Sequence, residues 1–170
     1  WYFNLWLFIS PYGHQNFIGN SIAMETFNHN QNLLKGISDL STIGSRIKYY
    51  RLLNNLTQEE LSVKSNLDRS TIIRYENNLV DHSMDIINKI CMALKVKPSI
   101  IYDDYFNFIN NNYGNKVKSL RINLGVNQKE LGEILGVHRK TISRWEKEES
   151  FPARENYIKL IKIYDFRYSF

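Results

Sequence analysis

The sequence has one cysteine, three prolines and eight glycines among its 170 residues. A single thiol cannot form an internal disulfide. Cys91 lies among apolar neighbours in "IINKICMAL", which predicts a buried, unreacted thiol and suits a reducing compartment, the cytoplasm. His14, His29, His82 and His138 are scattered, without Cys or carboxylate partners at ligand spacing, so no zinc or other metal site is expected. Neither a Ser/His/Asp arrangement nor a glycine-rich phosphate loop stands out; no cofactor is expected and the chain does not read as an enzyme. The apolar run "WYFNLWLFIS" is cut off by Pro11 and Gly13, short of the roughly 18 residues that a membrane span requires, and it lacks the basic start of a secretory signal. No membrane partner is expected. Residues 1–42 read as an N-terminal extension. Its first part, 1–23, is either upstream sequence read through before Met24 or an unstructured stretch, with a short hydrophobic arm packed on a domain as the alternative.

What the chain does have is an internal repeat. "TQEELSVKSNLDRSTIIRYE" at 57–76 returns as "NQKELGEILGVHRKTISRWE" at 127–146, with one constant offset, 127−57 = 146−76 = 70. The register extends upstream through Gly44/Gly114 and Arg51/Arg121 and downstream to Lys89/Lys159. Two copies are too few for a solenoid, so two tandem small domains are expected, at 43–105 and 113–164, with a linker at 106–112 and a tail at 165–170. The net charge of +5 is unevenly placed: residues 43–112 carry 9 basic against 8 acidic side chains, and residues 113–170 carry 12 against 7. The second domain is therefore the one with a long-range attraction for polyanions.

Tyr113, Val117, Leu120 and Leu124 recur at steps of four, three and four, as do Ile43, Ile47 and Tyr50 at steps of four and three, which predicts a first helix in each domain. Thr57 and Asn127, followed by Glu60 and Glu130, are capping boxes that open a second helix. Its expected inner face is Leu61 with the stem of Lys64 in one copy, and Leu131, Ile134 and Leu135 in the other. Asn66 and Gly136 fit the tight turn that follows. A third helix starts at Asp68, a good cap, and less conventionally at His138. With Ile72 and Tyr75, or Ile142 and Trp145, turned inward, its outer face carries Arg69, Ser70, Ile73, Arg74 and Asn77, or Arg139, Lys140, Ser143, Arg144 and Lys147. Arg, Lys, Ser and Thr (Thr71, Thr141) at the start of such a helix can reach base edges in a major groove, while helix N-termini, with Gln58 and Gln128 beside them, can hold phosphate.

These segments, "KVKSLRINLGVNQKELGEILGVHRKTISRWEKE" most closely, resemble the helix-turn-helix of phage Cro and repressor proteins, the lambda-repressor-like or Xre family. The resemblance implies an all-α fold of two tandem bundles of about four or five short helices each, and a DNA-binding transcriptional regulator, in most members a repressor, often a homodimer, from a bacterium or phage. It places base and phosphate contacts on Arg69, Ser70 and Arg74, on Arg139, Lys140 and Arg144, and on Gln58 and Gln128. It also implies structural ion pairs between Arg51 and Glu76 and between Arg121 and Glu146. Arg154, opening the fourth helix, corresponds to a phosphate or minor-groove contact, with Met84 as its uncharged counterpart. The glycine common after helix three is replaced by Asn78 and Glu148, and the following proline is kept only as Pro152, with His82 in the first copy. A rival reading makes the chain an antitoxin or adaptor whose first domain binds a protein partner.

Overall fold

The computed structural model describes residues 39–168, together with His29 and residues 32–33. The extension expected at 1–23 lies outside the described residues. Among them are ten helices and no strand: α1 (Ile43–Leu53), α2 (Gln58–Ser65), α3 (Arg69–Glu76), α4 (Met84–Leu94), α5 (Pro98–Ile101), α6 (Asp104–Ile109), α7 (Tyr113–Leu124), α8 (Gln128–Leu135), α9 (Arg139–Glu146) and α10 (Arg154–Tyr168). No helix among the described residues is long and apolar enough to cross a membrane.

The chain divides into two compact units between Val96 and Lys97. The stretch 97–109, part of which reads from sequence as linker, forms α5 and α6 and belongs with the second unit. Its attachment is aromatic and polar: the Tyr105 hydroxyl donates to the Pro152 carbonyl at 3.1 Å, and Phe108 and Tyr105 both pack their rings on Tyr157. The α10 helix runs on to Tyr168, into the stretch expected as a tail.

The core of the first unit takes Ile47, Leu61, Ile72, Ile87 and Ile90, all 0% exposed. Each contributes about 1.5–3 kcal/mol by leaving water. Cys91 and Leu94 extend that face along α4. The second core gathers Val117, Leu120, Leu131, Leu135, Ile142, Trp145 and Leu160. Of the expected first-helix faces, Ile43 and Ile47, and Tyr113, Val117 and Leu120, are buried while Tyr50 and Leu124 are half-buried, and the inner positions of α3 and α9 are buried.

The inner faces of α2 and α8 differ from expectation. Lys64 is exposed and Ile134 is 54% exposed, while Ser62 and Ser65, and Gly132, are buried. Small side chains bring these helices close to their neighbours, and the two serine hydroxyls are satisfied by their own helix, on Glu59 O and Leu61 O at 2.7 Å. No water is then needed to bury them.

Cys91 is free and buried, and burial pushes its thiol up to about 11. The thiolate is the reactive form, so Cys91 should resist a disulfide reagent in the native protein at pH 8 and react stoichiometrically once urea unfolds the first unit. Rapid labelling of the native chain would contradict this packing.

Candidate nucleic-acid interface

Each reading helix is set by three local devices. The first is the capping box: Thr57 and Asn127 accept from the Glu60 and Glu130 amides at 3.1 Å, and the glutamate carboxylates accept in return from the cap amides at 2.7 Å. The second is the left-handed turn at Asn66 (φ 52°) and Gly136 (φ 72°). Beyond it the Leu67 and Val137 amides reach back to Ser62 O and Gly132 O at 3.0 and 2.8 Å, closing the helix end and redirecting the chain. Lys159 adds a bond from its ammonium to Leu135 O at 2.9 Å. The third is the start of α3 and α9. Here the expectation inverts: Asp68 makes no side-chain cap bond, whereas His138 accepts from the Lys140 amide through Nδ1 at 3.1 Å.

A buried polar cluster fixes the helix pair in place. Arg51 donates through Nε to Glu76 Oε1 at 2.5 Å and through Nη2 to Oε2 at 3.0 Å, with Nη1 on Leu56 O at 2.8 Å. Arg121 repeats this on Glu146 at 2.6 and 3.3 Å, with Val126 O at 3.2 Å. The expected pairs are therefore formed, one a forked bond between α1 and α3 and the other between α7 and α9. Gln58 and Gln128 join them, donating to Glu76 Oε2 and Glu146 Oε2 at 2.9 Å. Sequence reasoning placed these glutamines toward nucleic acid; the structure ties one side of each amide to the scaffold. An amide nitrogen has a second hydrogen to offer. Around Glu146, burial pushes the carboxyl up, but the bonds from Arg121 and Gln128 and the charges of Arg121 and Lys118 outweigh it and hold the group below its ordinary range.

On this frame Arg69, Ser70 and Arg74, and Arg139, Lys140 and Arg144, are exposed, while Thr71, Thr141 and Ser143 are half-buried. Arg139, Lys140 and Arg144 have no ion-pair partner among the described residues, but Arg69 faces Glu59 at 3.7 Å. Arg154 is exposed yet engaged: its Nη1 meets Asp103 Oδ2 at 2.6 Å and its guanidinium lies over the Tyr105 and Phe106 rings.

Two features escaped the sequence reading. Asn78 (φ 53°) and Glu148 (φ 59°) take the left-handed conformation that glycine would supply, and their side chains accept from the Gly44 and Gly114 amides at 3.1 and 2.9 Å. They cap α1 and α7 from beyond the ends of α3 and α9, which a residue without a side chain cannot do. The signal was the repeat itself, which keeps a glycine at 44 and 114 opposite both. The other is Glu59, whose partner position 129 holds a lysine. His82, in the place of Pro152, is accommodated by a bond between its Nε2 and Tyr75 O at 3.1 Å and by edge contact with the Tyr75 ring.

Two short helices joined by a tight left-handed turn, with the second helix anchored on one side and cationic on the other, define a tandem helix-turn-helix protein. Residues 47–101 and 117–169 each match the helix-turn-helix family HTH_3, more than half of the chain together, and the protein belongs to that family. The first match runs through Ile101, past the division of the compact units. The chain is 40% identical over 62 residues, 35% of its length and 94% of the relative's, to an uncharacterized HTH-type transcriptional regulator of Methanocaldococcus jannaschii. It is 38% identical over 53 residues, 31% of its length and 80% of the relative's, to an uncharacterized HTH-type transcriptional regulator of Bacillus subtilis. No solved structure gives a significant match. Family and relatives together support a DNA-binding transcription regulator.

Proposed function

We propose that this protein is a sequence-specific binder of double-stranded DNA that represses transcription, with domains 43–105 and 113–164 as separate reading heads and the second supplying most of the affinity. The observation that carries the reading is α9: Arg139, Lys140 and Arg144 stand exposed without an ion-pair partner among the described residues, on a helix pinned by Ile142, Trp145 and the Arg121–Glu146–Gln128 cluster. Arginine at such a position reads guanine through two parallel bonds, and lysine supplies phosphate or base contact. Thr141 and Ser143 lie on the same helix as shorter donors, and on α3 Ser70 and Thr71 stand at the positions of Lys140 and Thr141. Arg154 plays a lesser part, since Asp103 already holds it.

Duplex binding of the full chain, measured against salt on random and selected sequences, tests this reading. Arg144→Ala should cost roughly 1–3 kcal/mol on the selected site and relax preference at one base pair. Equal, salt-labile binding to every duplex would remove the regulator reading. Because the two outer faces differ in sequence, the selected site should be an imperfect repeat. A strict palindrome would instead indicate homodimers that use one domain.

A second reading, in which the first domain serves an antitoxin or adaptor role, draws on its exposed Val63, Leu79 and Met92, which are 74, 68 and 80% accessible. A partner retained by residues 43–105 in the full chain and lost on polar substitution of those three would favour it.

A further inference from the structure

The two reading heads share a backbone plan but not an electrostatic one. At matched positions around the reading helix the first unit has Glu59, Asp68, Ser70 and Asn77, and the second has Lys129, His138, Lys140 and Lys147. One of these differences touches a reading residue. Glu59 Oε2 lies 3.7 Å from Arg69 Nε, with both side chains more than half exposed. In the second unit Lys129 stands at Glu59's position, turned to Glu133 at 3.9 Å, and Arg139 has no ion-pair partner among the described residues.

Building on the DNA-binding reading, we propose that Glu59 weakens the first reading head's hold on the duplex and that the 59/129 pair sets the division of labour between the heads. The exposed Arg69–Glu59 pair adds little to stability. Its consequence comes when phosphate approaches. A carboxylate at the first turn of α2 occupies the cation that phosphate would use and repels the backbone; an ammonium at the same place attracts it. The contrast between the units is two charges at one position, close to the groove-facing end of the helix pair. A phosphate contact contributes a slope of about 0.9 in log K against log salt, so the pair leaves a direct reading.

The experiment uses the full chain and a random-sequence duplex, titrated between 50 and 200 mM salt by fluorescence anisotropy, a range of about two doublings chosen to expose the slope. Glu59→Gln should steepen the salt dependence by about one contact by releasing Arg69, and Glu59→Lys by about two, with affinity up about tenfold near 0.1 M salt. Lys129→Glu should move both quantities the opposite way. Adding Arg69→Ala to Glu59→Gln should erase the gain. A wild-type chain that binds while Glu59→Gln leaves slope and affinity unchanged would overturn the inference alone. So would a gain that survives Arg69→Ala, since the charge would then act without its partner. A wild-type chain with no affinity for duplex DNA even at low salt would overturn the regulator reading, and this inference with it.

Discussion

Arg51→Ala should destabilise the first unit by about 3–5 kcal/mol, a large part of the roughly 5–15 kcal/mol that holds a small domain together. The reason is what remains rather than what is removed. Glu76 keeps only 1% of its side chain exposed and would retain a single bond, from Gln58, against two lost from the guanidinium. The Leu56 carbonyl in the turn after α1 would lose its donor as well. Arg121→Ala should follow the same course with a smaller loss, because its pair is more open, 16% and 7% exposed against 7% and 1%. Urea denaturation of both variants gives the order directly. A double replacement, Arg51→Met with Glu76→Leu, should recover much of the loss, since a buried pair replaced by apolar side chains is often neutral. Equal stability of Arg51→Ala and the native chain would show that the cluster is not part of the frame.

The second pair also predicts a pH dependence. The Glu146 carboxyl sits below its ordinary 4.5 when folded, so the unfolded chain binds its proton first as pH falls. The stabilisation from this group is complete well above pH 4.5 and is lost as the pH drops through the lower, folded value. Denaturation midpoints of the second unit should therefore fall on acidification below about pH 4.5, and Glu146→Gln should flatten that part of the profile.

Much of the architecture was legible because the chain states it twice. An offset that preserves Gly44/Gly114, Arg51/Arg121 and Glu76/Glu146 shows that the two units share one plan, the resemblance to the Cro and repressor family implies the ion pairs that join α1 to α3 and α7 to α9, and the capping boxes at Thr57 and Asn127 mark where the second helices begin. The reading failed where volume and polarity conflict. Hydrophobicity favoured Lys64's stem and Ile134 for the inner face, yet close helix approach selects the small Ser62, Ser65 and Gly132. It failed also where one side chain has two potential partners. Nothing in the local sequence tells that Gln58 and Gln128 turn an amide hydrogen to the buried carboxylate, or that Arg154 is taken by Asp103, 51 positions away. Charge reversal at 59/129 was visible, but its meaning needed the 3.7 Å approach to Arg69.

The close approach of first and third helices gives the other large effect. A Cβ built on Gly44 would lie 2.5 Å from the carbonyl oxygens of both Tyr75 and Glu76, and 2.8 Å from Asn78 Nδ2. Backbone oxygens at the end of α3 cannot swing aside as a side chain can. Gly44→Ala should therefore push α1 off α3, break the Gly44 amide bond to Asn78, and cost about 3 kcal/mol. Gly114→Ala meets Glu148 Cγ at 2.7 Å and the Glu146 and Trp145 carbonyls at 2.8 and 3.0 Å. The side-chain clash can be relieved there, and its loss should be smaller. Gly125→Ala supplies the contrast: its Cβ meets nothing within 4 Å but sits at φ +70°, so only local backbone strain of about 1–2 kcal/mol is expected. Because α3 carries Arg69 and Arg74, Gly44→Ala should also disturb any contact of the first unit with DNA, whereas Gly125→Ala should leave the α9 face in place. Paired measurements of unfolding and duplex binding separate the two. A Gly44→Ala chain as stable as the native one would mean that the helices can part by the needed fraction of an ångström at no cost, and that the glycine shared by both repeats has some other purpose.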